Sequence, residues 1–199
     1  MSSAKVRKDL YMDNPEQVEA QFGVGDTSSL SATPLGVELK NIHLSKKIMS
    51  AYRQILYHIV FRTKSSEKSI NQAHAVDLYK YIWGIIKNKK CVLFRINGME
   101  DHIHILSDLH PSVALADYIK DIKVSSSKWM KESGNFPNFN GWGIKYCALT
   151  YSYRERDMII DYIRNQQEHH RKEIFQDEIR RLFKEHGIEE DVKWFWVDS

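Results

Sequence analysis

Residues 91–106 read Cys-Val-Leu-Phe-Arg-Ile-Asn-Gly-Met-Glu-Asp-His-Ile-His-Ile-Leu. Cys91–Ile96 alternates apolar and polar side chains as a half-buried strand does, and His102–Leu106 reads as the strand that returns beside it. Between them stands Asn97-Gly98, a pair favoured in hairpin turns because both residues tolerate positive φ. His102 and His104 are two apart on a predicted strand, so both imidazoles project from one face while Ile103 points into the core. Two nitrogen donors on a sheet are half of a metal site. Taken alone, such a pair is more often two ordinary surface histidines, so its meaning depends on what lies elsewhere.

Working outward, Tyr52–Arg62 is rich in β-branched and aromatic residues and predicts a strand. Asn71–Lys89 carries apolar residues at helical spacing, with Ser69 or Asn71 as its cap. Ser112–Lys131 predicts a second helix capped by Ser112, with Leu115, Ile119, Ile122 and Trp129 on its buried face. A Gly/Asn/Pro loop at Asn135–Gly143 leads into a strand over Ile144–Tyr151. Arg154–Lys172 predicts a third helix and Ile174–His186 a fourth that stops at Gly187. The tail Val192–Val197 is apolar enough to need a partner surface. The order β-α-β-β-α-β followed by helices predicts an α+β fold. It would be the ferredoxin-like (RRM-like) split βαβ, an antiparallel sheet with helices on one face plus the C-terminal helices. That scaffold serves binding modules and enzymes alike, so it leaves function open.

The 199 residues suit one domain with an appendage. Residues 1–48 are small, polar and aperiodic, and predict a poorly ordered leader or appended segment with one short helix around Pro15–Phe22. Residues 49–199 form the domain proper. No run approaches the roughly 20 apolar residues of a membrane span, and no apolar segment follows the basic N-terminus as a signal peptide requires. Two cysteines, Cys91 and Cys147, make neither a disulfide framework nor a thiolate metal site. A cytoplasmic location is expected. The net charge of +3 permits nucleic acid as a partner without arguing for it.

The third predicted helix places Tyr162 and Gln166 four residues apart, on one face. The Gln166 amide oxygen is a hard donor acceptable to Mg²⁺ or Mn²⁺, and Tyr162 would lie beside such an ion. Ten tyrosines are present, and spacing does not choose among them. His169 and His170 are adjacent on a helix and point in different directions, so they could cap it or touch DNA but are not expected to be ligands together. His43 and His58 are expected to be structural or exposed, and Cys147 a core residue.

These residues carry a resemblance. Gly98-Met99-Glu100-Asp101-His102-Ile103-His104-Ile105-Leu106 resembles the His-hydrophobic-His motif of single-strand DNA nucleases. Asp161-Tyr162-Ile163-Arg164-Asn165-Gln166-Gln167-Glu168-His169-His170 resembles the tyrosine helix of the single-tyrosine HUH transposases, the IS200-like TnpA family of the smallest insertion sequences. Tyr57–Thr63, Phe175-Gln176-Asp177-Glu178 and His186-Gly187-Ile188-Glu189 are also similar to that family, over residues 50–199.

The resemblance implies that His102, His104 and Gln166 hold a divalent metal, Mg²⁺ or Mn²⁺, and that Tyr162 is the nucleophile. It implies cutting and rejoining of single-stranded or hairpin DNA through a 5′-phosphotyrosine link, by a homodimer whose subunits exchange tyrosine helices. Two departures stand against the pattern. Thr150–Asp157 lacks a glycine hinge for that exchange, and residues 1–48 precede the usual family start. A sheet with exposed aromatics could stack unpaired bases, and Arg62, Arg95, Lys120, Lys123, Lys128 and Arg164 are candidate phosphate contacts. Two alternatives are a domesticated relative acting on repeated chromosomal hairpins and a non-catalytic nucleic-acid-binding module on the same fold.

Overall fold

A computed structural model describes residues 53–189 and 192–198. The leader over residues 1–48, its short helix and His43 lie outside the described residues.

Four strands form one antiparallel sheet: β1 (Leu56–Arg62), β2 (Val92–Gly98), β3 (His102–Asp108) and β4 (Cys147–Tyr151), in the order β2-β3-β1-β4. Helix α1 (Ala75–Asn88) crosses from β1 to β2, and α2 (Leu115–Ser133) from β3 to β4. This is the expected α+β arrangement with the split βαβ strand order. The two crossover helices cover one sheet face, where Ile59, Phe61, Ile96, Ile103 and Ile105 meet Leu78, Ile82, Ile86, Tyr118, Ile119 and Ile122.

The opposite face is covered too. Helix α3 (Arg156–Arg164) packs Ile159, Ile160 and Ile163 on Leu56 and Leu106. Helix α5 (Phe175–Glu185) packs Phe175, Ile179 and Leu182 on Val60, Cys147 and Leu149. The apolar tail, a 3-10 turn over Val192–Trp196, buries Phe195 in that same cluster. The expected stacking of bases on exposed sheet aromatics is therefore corrected, because helices occupy that face.

Three local expectations also change. Asn97 and Gly98 are not the hairpin turn but the last residues of β2, paired with His104 and Ile103, and the turn is Met99–Asp101. Gly98 is required by close approach instead: a Cβ there would sit 2.2 Å from the His102 carbonyl oxygen. A bulge between Leu93 and Arg95 interrupts the alternation of β2 and pairs Arg95 with Leu106 of the α3-covered face. The predicted third helix is broken at Asn165 into α3 and a single turn α4 (Gln166–His169).

Candidate active site

His102 and His104 lie on the sheet face beneath α3–α5, fully buried. Each ring is held through its Nδ1. For His102 the partner is Asp101, at 2.6 Å, and the ring stacks flat on Phe175 with centroids 3.7 Å apart. A carboxylate only accepts, so Nδ1 of His102 carries the proton and Nε2 is left with its lone pair. Nδ1 of His104 lies 2.9 Å from Nε2 of His58, itself buried. Burial pushes His102 down to about 4 despite the Asp101 carboxylate. His58 is also held well below the usual imidazole range, by burial and then by His104. His102 is therefore neutral at neutral pH, as a ligand must be.

Above the pair sits Glu178 of α5, buried, its carboxylate 3.6 Å from His104 Nε2 and 3.9 Å from His102 Nε2. His170, just past α4, brings its Nε2 to 3.1 Å from Glu178 Oε2. Gln166 Nε2 donates to Glu178 Oε1 at 3.1 Å, and the Tyr162 hydroxyl donates to the same oxygen. Burial opposes ionisation of Glu178, but His104, His170 and His102 around it hold it well below the ordinary carboxylate range. Burial and the Glu178 charge push the Tyr162 phenol up, with Arg181 opposing.

Among the described residues, Nε2 of His102 and His104 and Oε1 of Gln166 are buried with no hydrogen-bond partner, and the 3.1 Å approach of His170 Nε2 to Glu178 Oε2 is not aligned as a hydrogen bond. One ligand atom from each of His102, His104, His170 and Glu178 falls within 4.8 Å of the others. Orphaned polar atoms are costly inside a protein. The four atoms so grouped fit a divalent cation, and the outer contacts of Asp101 and His58 are those that fix ligand imidazoles.

What sets α3 over the histidines is Asn97. The break at Asn165 leaves carbonyls at the end of α3 without helical partners. Asn97 Nδ2 donates to two of them, Ile163 at 2.9 Å and Arg164 at 3.1 Å. The phenol and the amide thus come from two short helices tied to the end of β2 by Asn97 and by Gln167, whose amide bonds back to Asn97 and to the Gly98 carbonyl. The whole cluster assembles within one chain. The link from β4 to α3 is short and closed by a Ser152–Glu155 capping box, so the exchange of tyrosine helices implied by the resemblance has no glycine-built hinge here.

A family model described as "Transposase IS200 like" matches residues 51–166, more than half of the sequence. The chain belongs to the IS200-like transposase family. As a member it is a transposase, an enzyme that cleaves DNA. It is similar to the ISDra2 transposase TnpA of Deinococcus radiodurans, 27% identical over 120 residues that cover 57% of this chain and 84% of that one. Among solved structures, one assigned to the transposases from Deinococcus radiodurans is 27% identical, with a TM-score of 0.49 over 61% of this chain and 97% of the other. A REP-associated tyrosine transposase bound to a REP hairpin is 14% identical, with a TM-score of 0.43 over 58% of this chain and 70% of the other.

Of the residues singled out in the sequence, this transposase brings His102, His104, Tyr162 and Gln166 together. The basic candidates scatter. Arg62 is fully buried, its guanidinium on Asp198 at 2.8 Å, so it lies out of reach of a DNA backbone on the surface. Arg95 is likewise fully buried. Lys120, Lys123 and Lys128 stand on α2, across the sheet from Tyr162. Lys123 spends its ammonium on the carbonyls of Gly143, Ile144 and Lys145, and Lys120 and Lys128 are exposed. Arg164 pairs with Asp161. Sequence reasoning missed Glu178 and His170 as members of the cluster. Glu178 had a signal: Phe175, Glu178, Ile179 and Leu182 share one face, and a carboxylate inside an apolar stripe needs a partner.

Proposed function

We propose that this transposase is a metal-dependent endonuclease and strand transferase of single-stranded DNA with hairpin ends. Tyr162 is the nucleophile, and His102, His104 and Gln166 are metal ligands, joined by Glu178 and His170. One observation carries the reading: the phenol of Tyr162 and the amide of Gln166 share Glu178 Oε1, 3.6 Å from an imidazole nitrogen that has no other partner.

Bound among these ligands, a divalent ion would polarise a phosphate oxygen and draw charge from the phosphorus. Three imidazoles with a carboxylate and an amide favour Mn²⁺ over Mg²⁺. The Tyr162 oxygen attacks phosphorus and gives up its proton to solvent. The bond from phosphorus to the 3′ oxygen of the preceding nucleotide breaks, and that oxygen leaves as a 3′-hydroxyl after taking a proton from solvent. The 5′ phosphate stays on the tyrosine as a phosphodiester, so a second 3′-hydroxyl can reverse the link without ATP. In this reading residues 49–199 are the transposase domain, and a homodimer carries one complete site per subunit.

The test is incubation with labelled hairpin oligonucleotides and Mn²⁺, followed by denaturing gels for a protein–DNA adduct. The wild type forms the adduct, and Tyr162→Phe binds hairpins equally well and forms none. A Tyr162→Phe variant that still becomes covalently linked ends the assignment.

A further inference from the structure

Beside Tyr162 lies a cavity of about 350 Å³, bordered by Tyr151, Met158, Tyr162, Arg181, Leu182 and His186. We propose that this cavity is the subsite for the nucleotide that becomes joined to Tyr162, and that Arg181 is a catalytic residue holding its 5′ phosphate at the phenol oxygen. The inference rests on Tyr162 being the nucleophile.

Arg181 touches the reacting atom, since its Nη2 donates to the Tyr162 hydroxyl at 3.0 Å. Its guanidinium carbon also stands 5.6 Å from the centre of the Tyr162 ring. Two carboxylates fix it there: Glu173 takes Nε and Nη2 at 3.2 and 3.0 Å, and Glu185 takes Nη1 at 3.2 Å. A donor so placed reaches the non-bridging oxygens of any phosphate under attack by Tyr162. Charge on those oxygens is what phosphoryl transfer must stabilise, and a planar guanidinium suits them. Arg181 lies beyond the segment matched by the family model, so it is supplied by the C-terminal helix of this chain.

Strand polarity gives the cavity its occupant. Attack leaves the 5′ phosphate on the tyrosine, so the retained nucleotide is the one 3′ of the cut and begins at Tyr162. The cavity borders both Tyr162 and Arg181, and its volume, at the small end of ligand pockets, suits one nucleotide. Tyr151 and His186, with ring centres 5.1 Å apart, supply aromatic walls, and the largely exposed Met158 stands at its rim. Glu155 and Glu185 border it as well. Acceptors of that kind suit the N–H groups of a base rather than a second phosphate.

The experiment uses a pool of hairpin oligonucleotides with randomised single-stranded flanks, Mn²⁺, and sequencing of the DNA held covalently. The wild type shows a base preference at the nucleotide attached to Tyr162. Met158→Trp, which fills the cavity from its exposed side, erases that preference and slows adduct formation about tenfold. Arg181→Ala slows it about 100-fold or more with hairpin binding unchanged, and Arg181→Lys restores part of the rate. Thermal melting checks each fold, and should Arg181→Ala not fold, Arg181→Lys against Met158→Trp decides. Wild-type rates in the Arg181 variants, or a base preference that is absent or survives Met158→Trp, overturn the proposal while leaving Tyr162 in place. No adduct with the wild type on any sequence overturns the nucleophile itself.

Discussion

The two faces of the sheet are buried to a similar degree and built on opposite principles. Under α1 and α2 the strands present Ile59, Phe61, Ile96, Ile103 and Ile105, and the helices answer with side chains of the same kind. Under α3–α5 the same strands set His58, Arg62, Arg95, Asn97, His102 and His104 among the apolar Leu56, Val60, Leu106, Cys147 and Leu149. The first face is stabilised by area removed from water and needs only volume matching. The second must find a partner for each polar atom, and Nε2 of His102 and His104, which have none among the described residues, are where the proposed metal would bind. Stability and chemistry are thus divided between the two sides of one sheet, and the alternation along β3 is the device that divides them.

The sharpest way to break this contrast is to strand a charge on the polar face. Arg62 is buried against Asp198 of the tail, which also accepts the backbone N–H of Ser65. Asp198→Asn leaves that guanidinium without a countercharge and should cost about 3–5 kcal/mol of stability at neutral pH, read by urea unfolding. Burial opposes ionisation of Asp198, but Arg62 and the N–H groups of Ser65 and Ile144 hold its carboxyl below the ordinary value. A depressed native pKa means the wild-type advantage is complete above the unfolded value near 3.9. It is lost as pH falls through the native one. Wild type and variant should therefore converge in strong acid. A constant difference down to pH 2 would show that Asp198 acts by packing and not by charge.

Metal should separate the faces next. An ion that binds only the folded site raises stability by about 2.7 kcal/mol at 100 times its dissociation constant. Mn²⁺ should accordingly raise the wild-type melting temperature, chelation should reverse the rise, and Glu178→Gln should abolish most of it. A rise that is equal in Glu178→Gln would take that carboxylate out of the ligand set.

The apolar face was legible in the sequence because alternation and helical spacing record burial directly, and both crossover helices and all four strands follow from it. The misses come from local side-chain bonds that hydrophobic pattern does not see. Asn71 does not cap α1, since its Oδ1 accepts the N–H of Ala73 in a turn that delays the helix to Ala75. The break at Asn165 was hidden because residues 165–172 carry no apolar side chain whose spacing could have marked it. Of the site, the strand histidines were readable because they share one strand, and the Tyr162–Gln166 pair because its four-residue spacing survives the break at Asn165. Glu178 and His170 join them only through tertiary packing of α5 and the turn before it.

Asn97 illustrates the same limit at smaller energy and larger consequence. Read locally, Asn-Gly is turn chemistry; in the fold its side chain closes the end of α3 from across the sheet. Asn97→Ala should leave the carbonyls of Ile163 and Arg164 without these donors at a cost of about 1–3 kcal/mol. That is less than the Asp198→Asn loss and comparable to the metal's contribution, and on a purely structural account adduct formation would fall only in proportion to the folded fraction. If Asn97 positions the phenol over the histidines, the rate falls much further in protein that is fully folded, since small displacements of reacting groups cost about 100-fold. Measuring unfolding and adduct formation on the same preparation separates the two. A variant destabilised as expected yet reacting at the wild-type rate would show that Tyr162 finds its place without β2, and that the polar face is less interdependent than its hydrogen bonds make it.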